Sequence, residues 1–353
     1  MLAALVKVRK WLHRDSLAEL HGQLNLAQFG EMKMPAEGPR LTIVLNLRDA
    51  ELYARLIADR FPQVRTIVAP RPEQLANCIK EADALLASSF PVDLLEQAKK
   101  MRWFQCTNAG VDSILPIRER VRHITVTNAR GLHGEIIADF VMAGVTMLHW
   151  DFRKLLRDQA ERKWSPRFVA PLAEKTLGVV GLGSIGGTIA RRAKSAGMTV
   201  VGSKRDVSVP VDGVDRLFAS DALEKLLPLC DFVVLAVPAT ATTMGLIGAT
   251  EIARMRRDAF LINIARGQIV VEAELIKALE AGTIAGALLD VFEREPLPKE
   301  SLLWDMPNVI ATPHISGSPT NYTERLFSIF ADNIERFLSG RALTNVVDLG
   351  RGY

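Results

Sequence analysis

Short apolar runs and stretches with helical spacing take turns along most of this chain. Residues 41–47, LTIVLNL, read as a buried strand, and DAELYARLIADRFP (49–62) reads as a helix ended by Pro62. VRTIVAP is strand-like, PEQLANCIKEA helical and ADALLAS strand-like again, and MRWFQCTNAG and VRHITVTNA continue the series. A helical stretch over residues 134–162 precedes a second series, made of KTLGVVG, MTVVGSK, CDFVVLAVP, AFLINIA, IAGALLDVF and NVIATPHIS. NYTERLFSIFADNIERFLSG then reads as a closing helix stopped by Gly340. Strands that alternate with helices predict βαβ units and parallel sheets. The expected fold class is therefore α/β, with two doubly wound parallel-sheet domains joined by long helices.

At 353 residues the chain is long enough for two domains, each with its own core. Apolar residues at 48% and charged residues at 24% place it among soluble globular proteins. Its 44 basic residues are nearly matched by 40 acidic ones, and no basic stripe interleaves with aromatics, so nucleic acid is not an expected partner. Cys78, Cys106 and Cys230 are odd in number and far apart. Neither a disulfide framework nor a CxxC metal site follows, and a reducing, cytoplasmic setting is the default. No apolar run approaches the roughly 18 residues that a membrane helix needs. Residues 1–40 form an N-terminal extension. Within it, MLAALVKVRKWLHR carries Lys7, Arg9, Lys10 and Arg14 as its only charges. Two readings stand for residues 1–14, an accessory helix packed on the body or a neighbour, and an amphipathic organelle-targeting segment.

Candidate chemistry begins in GVVGLGSIGG. A hydrophobic strand ends at Val180, and Gly181, Gly183 and Gly186 then spell G-x-G-x-x-G at the opening of a helix that starts with Ser184 and Ile185. The first glycine allows a tight turn, the second a close approach of backbone to pyrophosphate, and the third close packing of helix on strand. The helix N-terminus supplies free N–H groups for the phosphates. After the next strand, an acid would accept from the adenosine ribose 2′-hydroxyl. This chain has Ser203, Lys204 and Arg205 there instead. A hydroxyl, an ammonium and a guanidinium fork suit a 2′-phosphate, which favours NADP(H) and leaves NAD(H) possible. The competing reading makes them solvated surface residues, with Asp206 curling back to the ribose. Three further residues stand at the ends of later strands, where open α/β sheets place their ligands: Arg266 in NIARG, Asp290 in DVFEREP with Glu295 just beyond, and His314 in TPHISG.

These segments, with NAGVDSI, occur in the order of a known pattern, and the sequence resembles the D-isomer-specific 2-hydroxyacid dehydrogenase family from about residue 41 onward. The resemblance implies a flavodoxin-like, discontinuous substrate domain (41–137 and 318–353) and an inserted Rossmann cofactor domain (138–317). It implies three catalytic residues. His314 would exchange a proton with the substrate oxygen, Glu295 would orient the imidazole and favour its charged form, and Arg266 would bridge the substrate carboxylate and the reacting carbonyl. Ala109 and Gly110 would offer backbone N–H groups to that carboxylate. Ala265 and Asp290 would hold the nicotinamide carboxamide, Gly317 would lie near it, and Pro238 and Thr243 would line the cofactor cleft. The implied partners are a small 2-keto or 2-hydroxy acid and a second copy of the chain in a homodimer. Domain closure would pivot on residues 127–137 and 314–318.

The departures from the pattern also carry meaning. The acid after the second strand is missing. Where many members read HIGG, this chain reads His314-Ile315-Ser316-Gly317. Glu295 argues against the formate dehydrogenases of the family, which pair their histidine with glutamine. The expected activity is NADP(H)-preferring reduction of small 2-keto acids, of the glyoxylate/hydroxypyruvate or broader 2-ketoacid type. A dinucleotide-sensing, corepressor-like regulator on the same fold is the alternative. Two readings also stand for Trp164, contact with a partner's substrate pocket and a wedge under the inter-domain loop.

Overall fold

Two all-parallel sheets organise the computed structural model, which describes residues 41–353; the N-terminal extension and both readings of it lie outside the described residues. The first series supplies β1 (Leu41–Asn46), α1 (Ala50–Arg60), β2 (Val64–Val68), α2 (Pro72–Cys78), β3 (Ala84–Ala87), β4 (Trp103–Cys106) and β5 (Thr125–Thr127). Its strands lie in the order β2-β1-β3-β4-β5, the flavodoxin-like arrangement expected from the resemblance. The strands are short and apolar because both faces are covered: β1, β3 and β4 are buried almost throughout.

The stretch 134–162 is two helices, α3 (Gly134–His149) and α4 (Phe152–Ala160), where the sequence pattern predicts one. Asp151 breaks it, with φ at +50° and its side chain accepting from the Lys154 amide. A short acid that caps the next helix competes with continuation of the last one. Along α3, Ile137, Ala138, Val141, Val145 and Leu148 enter the core beneath the second sheet. The boundary expected at 137/138 lies within the first turn of α3.

The second series supplies β6 (Thr176–Val180), α5 (Ser184–Ser195), β7 (Thr199–Lys204), β8 (Arg216–Ala219), α6 (Leu223–Leu226) and β9 (Phe232–Leu235). It continues with α7 (Ala249–Arg254), β10 (Phe260–Asn263), α8 (Glu272–Glu280), β11 (Gly286–Leu289) and β12 (Val309–Ala311). The order β12-β11-β10-β9-β6-β7-β8 is the Rossmann arrangement, with its switch point between β6 and β9. The edge strand β8 escaped the periodicity reading because only Phe218 of its four residues is buried.

The closing helix α9 (Tyr322–Leu338) returns to the first sheet, and Gly340, at φ +67°, follows its end as expected. Leu326, Phe330, Ala331 and Ile334 of α9 join the core with Trp103 of β4. Asn333, fully buried, donates to Gln105 Oε1 and to the Thr344 carbonyl, and accepts from the Thr344 amide and hydroxyl. Residues 318–353 thus pack with residues more than 200 positions earlier. No helix of the described residues is long and apolar enough to cross a membrane.

Candidate active site

The glycine turn after β6 shows each backbone requirement in its geometry. Gly181 has φ +100°, and a Cβ there would lie 2.7 Å from the Ala236 carbonyl oxygen. A Cβ on Gly186 would lie 1.9 Å from the Gly181 carbonyl oxygen, whereas one on Gly183 would meet nothing within 4 Å. Gly183 therefore faces open space, and Ser184 and Ile185 occupy the first turn of α5, where amide N–H groups lack helical acceptors. An open cradle lined by unspent N–H donors fits a pyrophosphate.

The carbonyl of Ser203, at the end of β7, accepts from the amides of Gly181 and Leu182 at 3.0 and 3.2 Å and holds the glycine turn. Ser203 itself is buried. Lys204 Nζ donates to the Val209 carbonyl at 2.9 Å, and the Arg205 guanidinium lies 4.3 Å from the ring centroid of Tyr353. Asp206 does not curl back toward the glycine turn. Its carboxylate accepts from the Ser208 hydroxyl and amide, and these bonds hold its pKa below the usual carboxylate range. Thr243 Oγ1 donates to the Pro238 carbonyl at 2.6 Å and accepts from the Thr240 amide at 2.8 Å, which closes the 238–243 turn.

Beyond β10, Asn263 fixes the turn that launches Arg266. Its Oδ1 accepts from the Ala265 amide and its Nδ2 donates to the Arg266 carbonyl. The Arg266 side chain then crosses to the first lobe, where Nε and Nη2 both lie 3.0 Å from Asp112 Oδ2, while Nη1 donates to the Ala265 carbonyl. Gly110 makes the approach possible: a Cβ there would lie 2.3 Å from Arg266 Nη2. Asn128 Nδ2 holds the Ala109 carbonyl at 2.7 Å, and among the described residues neither the Ala109 nor the Gly110 amide has an acceptor. Two unspent N–H groups beside a guanidinium have the chemistry to receive a carboxylate.

Asp290, fully buried at the end of β11, shapes the loop that carries His314. Oδ1 accepts from the Thr312 hydroxyl and the Ile315 amide, Oδ2 accepts from the Ser316 amide, and the Asp290 carbonyl accepts from the His314 amide. His314 is held at φ +51°, in the left-handed region that a side chain rarely adopts. Its Nδ1 meets Glu295 Oε2 at 2.7 Å, and Glu295 Oε1 accepts from the Phe292 amide at 3.0 Å. Nδ1 is thereby committed, and among the described residues Nε2 makes no hydrogen bond. Gly267 lies under the loop that bears Glu295, since a Cβ there would lie 1.8 Å from the Phe292 carbonyl carbon.

Three residues around the site, Asp112, His133 and Tyr322, are not singled out by the sequence pattern. Asp112 stood inside the quoted NAGVDSI, and an acid two residues beyond the carboxylate-binding amides was the available signal. His133 left none. It is buried, its Nε2 lies 3.3 Å from Tyr322 Oη, and among the described residues its Nδ1 has no partner. Tyr322 Oη donates to the Thr107 carbonyl at 2.6 Å, so it accepts from His133, which places the imidazole proton on Nε2. Burial, then the positive charge of Arg266, depresses the His133 pKa to about 4, and burial pushes Tyr322 up to about 12. A Cβ on Gly317 would come within 3.3 Å of the His133 ring, so the two expected hinge segments touch here. Trp164 is 94% exposed, which removes the wedge reading for it.

Residues 142–316 match the family model described as D-isomer specific 2-hydroxyacid dehydrogenase, NAD binding domain. The chain is 34% identical over 291 residues to a glyoxylate reductase of Korarchaeum cryptofilum, covering 79% of this chain and 86% of that protein. It is 34% identical over 318 residues to glyoxylate/hydroxypyruvate reductase B of Escherichia fergusonii, covering 87% and 98%. Among solved structures, a D-isomer specific 2-hydroxyacid dehydrogenase from Xanthobacter autotrophicus in complex with NADPH and MES superposes with a TM-score of 0.81 at 30% identity, over 89% of this chain and 99% of that one.

Proposed function

The chain belongs to the D-isomer specific 2-hydroxyacid dehydrogenase family, NAD(P)-dependent oxidoreductases acting on a CH–OH group, and from that premise we propose that it reduces small 2-keto acids, with NADP(H) as preferred cofactor. The observation that carries this reading is the Glu295–His314 pair at 2.7 Å, with the far nitrogen of the imidazole uncommitted. The relatives named for glyoxylate and hydroxypyruvate support that substrate class, and the NADPH-bound structure supports the cofactor.

Bound nicotinamide supplies the hydride, and the chain's own residues do the rest. His314 Nε2 gives a proton to the carbonyl oxygen on reduction and takes it back on oxidation, while Glu295 holds the ring and stabilises the imidazolium. Arg266 polarises the carbonyl and, with the Ala109 and Gly110 amides, binds the substrate carboxylate. That substrate must displace or share the guanidinium with Asp112, so substrate entry loosens one contact between the lobes as it forms others. The cradle of Gly181, Gly183, Ser184, Ile185 and Gly186 would take the pyrophosphate, and Lys204 and Arg205 would hold the 2′-phosphate, with buried Ser203 bracing the glycine turn beside them. Pro238, Thr243, Ala265 and Gly317 would line the path to the nicotinamide, and buried Asp290 would shape it from beneath through the 312–316 loop. The substrate domain comprises residues 41–137 and 318–353, and the cofactor domain residues 138–317. Exposed Trp164 and Phe168 form an apolar arm that a second copy of the chain covers in a homodimer.

The test is steady-state reduction of glyoxylate, hydroxypyruvate and phenylpyruvate with NADPH and NADH in parallel. A charged hydrogen bond to the 2′-phosphate is worth about 1.5–3 kcal/mol, roughly 10- to 150-fold in affinity. NADPH preference of that size supports the reading. Equal use of both cofactors, or preference for NADH, refutes the assignment of Lys204 and Arg205. No turnover with any keto acid refutes the enzyme and returns the sensor to consideration.

A further inference from the structure

The segment 346–353 leaves the first lobe and ends on the cofactor-binding face of the second. It is anchored by Val347, which is buried in the first lobe's core and donates its amide to the Val126 carbonyl at 2.8 Å, and by a bridge between Val346 and Thr127. A tight turn follows. Asp348 Oδ1 accepts from the amides of Gly350 and Arg351, and the Asp348 carbonyl accepts from the Gly352 amide at 2.8 Å. Gly352, at φ +83°, sits where a Cβ would come within 3.1 Å of Thr240 and 3.3 Å of Leu115, one residue from each lobe. Tyr353 then lays its ring against the guanidinium of Arg205, 4.3 Å from centroid to carbon.

Among the described residues the guanidinium of Arg205 rests on that ring and pairs with no carboxylate. An ion pair would fix a guanidinium by consuming its N–H donors and cancelling its charge. An aromatic face fixes its plane and leaves all the in-plane donors free. Arg205 follows directly on β7, at the point where the ribose of a dinucleotide lies in this fold. We propose that Tyr353 is a positioning residue for the 2′-phosphate subsite: it holds Arg205 as a flat, unspent fork, and the segment 346–353 straps that fork to the opposite lobe. Occupation of the subsite by a phosphate is thereby linked to the spacing of the lobes. The inference rests on the NADP(H) reading above.

Calorimetric titration of the full chain with 2′,5′-ADP and with 5′-AMP tests both, because the two probes differ only in the 2′-phosphate. The wild type is expected to prefer 2′,5′-ADP, and Arg205→Ala to lose most of that preference. Tyr353→Leu should weaken 2′,5′-ADP by about 2- to 5-fold, the worth of an exposed cation–π contact, and leave 5′-AMP unchanged. Tyr353→Phe, which keeps an aromatic face, should bind as the wild type does. If Tyr353→Leu leaves 2′,5′-ADP binding intact, or weakens both probes alike, the positioning role is overturned while the cofactor reading stands on Arg205→Ala. If the wild type does not distinguish the probes, the cofactor reading falls and this inference with it.

Discussion

Acid should unfold this protein partly through His133. The side chain is buried and spends its Nε2 proton on Tyr322, and among the described residues Nδ1 has no partner. A second proton has no acceptor there, and it would add charge in the field of Arg266. Burial first, and that cation second, hold the folded-state pKa at about 4 against an ordinary 6.5. The unfolded chain therefore binds a proton between pH 6.5 and about 4 that the folded chain refuses, so stability is full above 6.5 and falls as pH drops through that window. At 1.36 kcal/mol per pKa unit the difference is about 3 kcal/mol, a large share of the roughly 5–15 kcal/mol that keeps a domain folded. The assay is urea unfolding at a series of pH values for the wild type and for His133→Gln, which keeps a donor for Tyr322 but does not titrate. The variant is expected to start less stable near neutrality and to lose less on acidification, so that the gap closes by about 3 kcal/mol across the window. Parallel curves throughout would refute the reasoning, because they would mean that His133 takes up its proton equally in both states.

Three further outcomes follow from the geometry. His314→Asn should abolish turnover while leaving cofactor affinity, read by fluorescence titration, unchanged; surviving turnover would remove His314 from the proton step. Gly267→Ala forces a Cβ onto the Phe292 backbone, 1.8 Å from the carbonyl carbon, and must shift the loop that bears Glu295. A displacement of about 1 Å at that carboxylate should lower kcat by about 100-fold, and a kcat within a few-fold of wild type would show the loop to be free of Gly267. Asn333→Leu strips the four hydrogen bonds that tie α9 to Gln105 and Thr344. It should cost about 2–3 kcal/mol in urea unfolding, and a loss below about 0.5 kcal/mol would mean that the network relaxes around the apolar side chain.

Much of this protein is written locally in its sequence. Strand and helix periods, the glycines at 181, 183 and 186, and the charged residues that end β7, β10, β11 and β12 are features of a few neighbouring positions. Backbone sterics and burial act on them wherever the chain goes. That is why two parallel α/β lobes and the candidates Arg266, Asp290, Glu295 and His314 are legible in the sequence. The break at Asp151 and the weak edge strand β8 are not, because a capping acid inside an apolar stretch and a mostly exposed strand leave the period nearly unchanged. Other features needed the whole fold. Arg266 and Asp112 are 154 positions apart, and nothing near either one announces the other. Why position 110 must be a glycine shows only when Arg266 arrives against it. His133 looks like a surface loop histidine until α9 brings Tyr322 over it and buries it. Arg205 was assigned by its position after a strand, whereas its footing on Tyr353 depends on a segment that leaves one lobe and ends on the other. In each case the sequence fixes which groups are present, and sheet topology decides which of them meet, because contact between distant residues is set by the order of the strands and not by any property of the residues themselves.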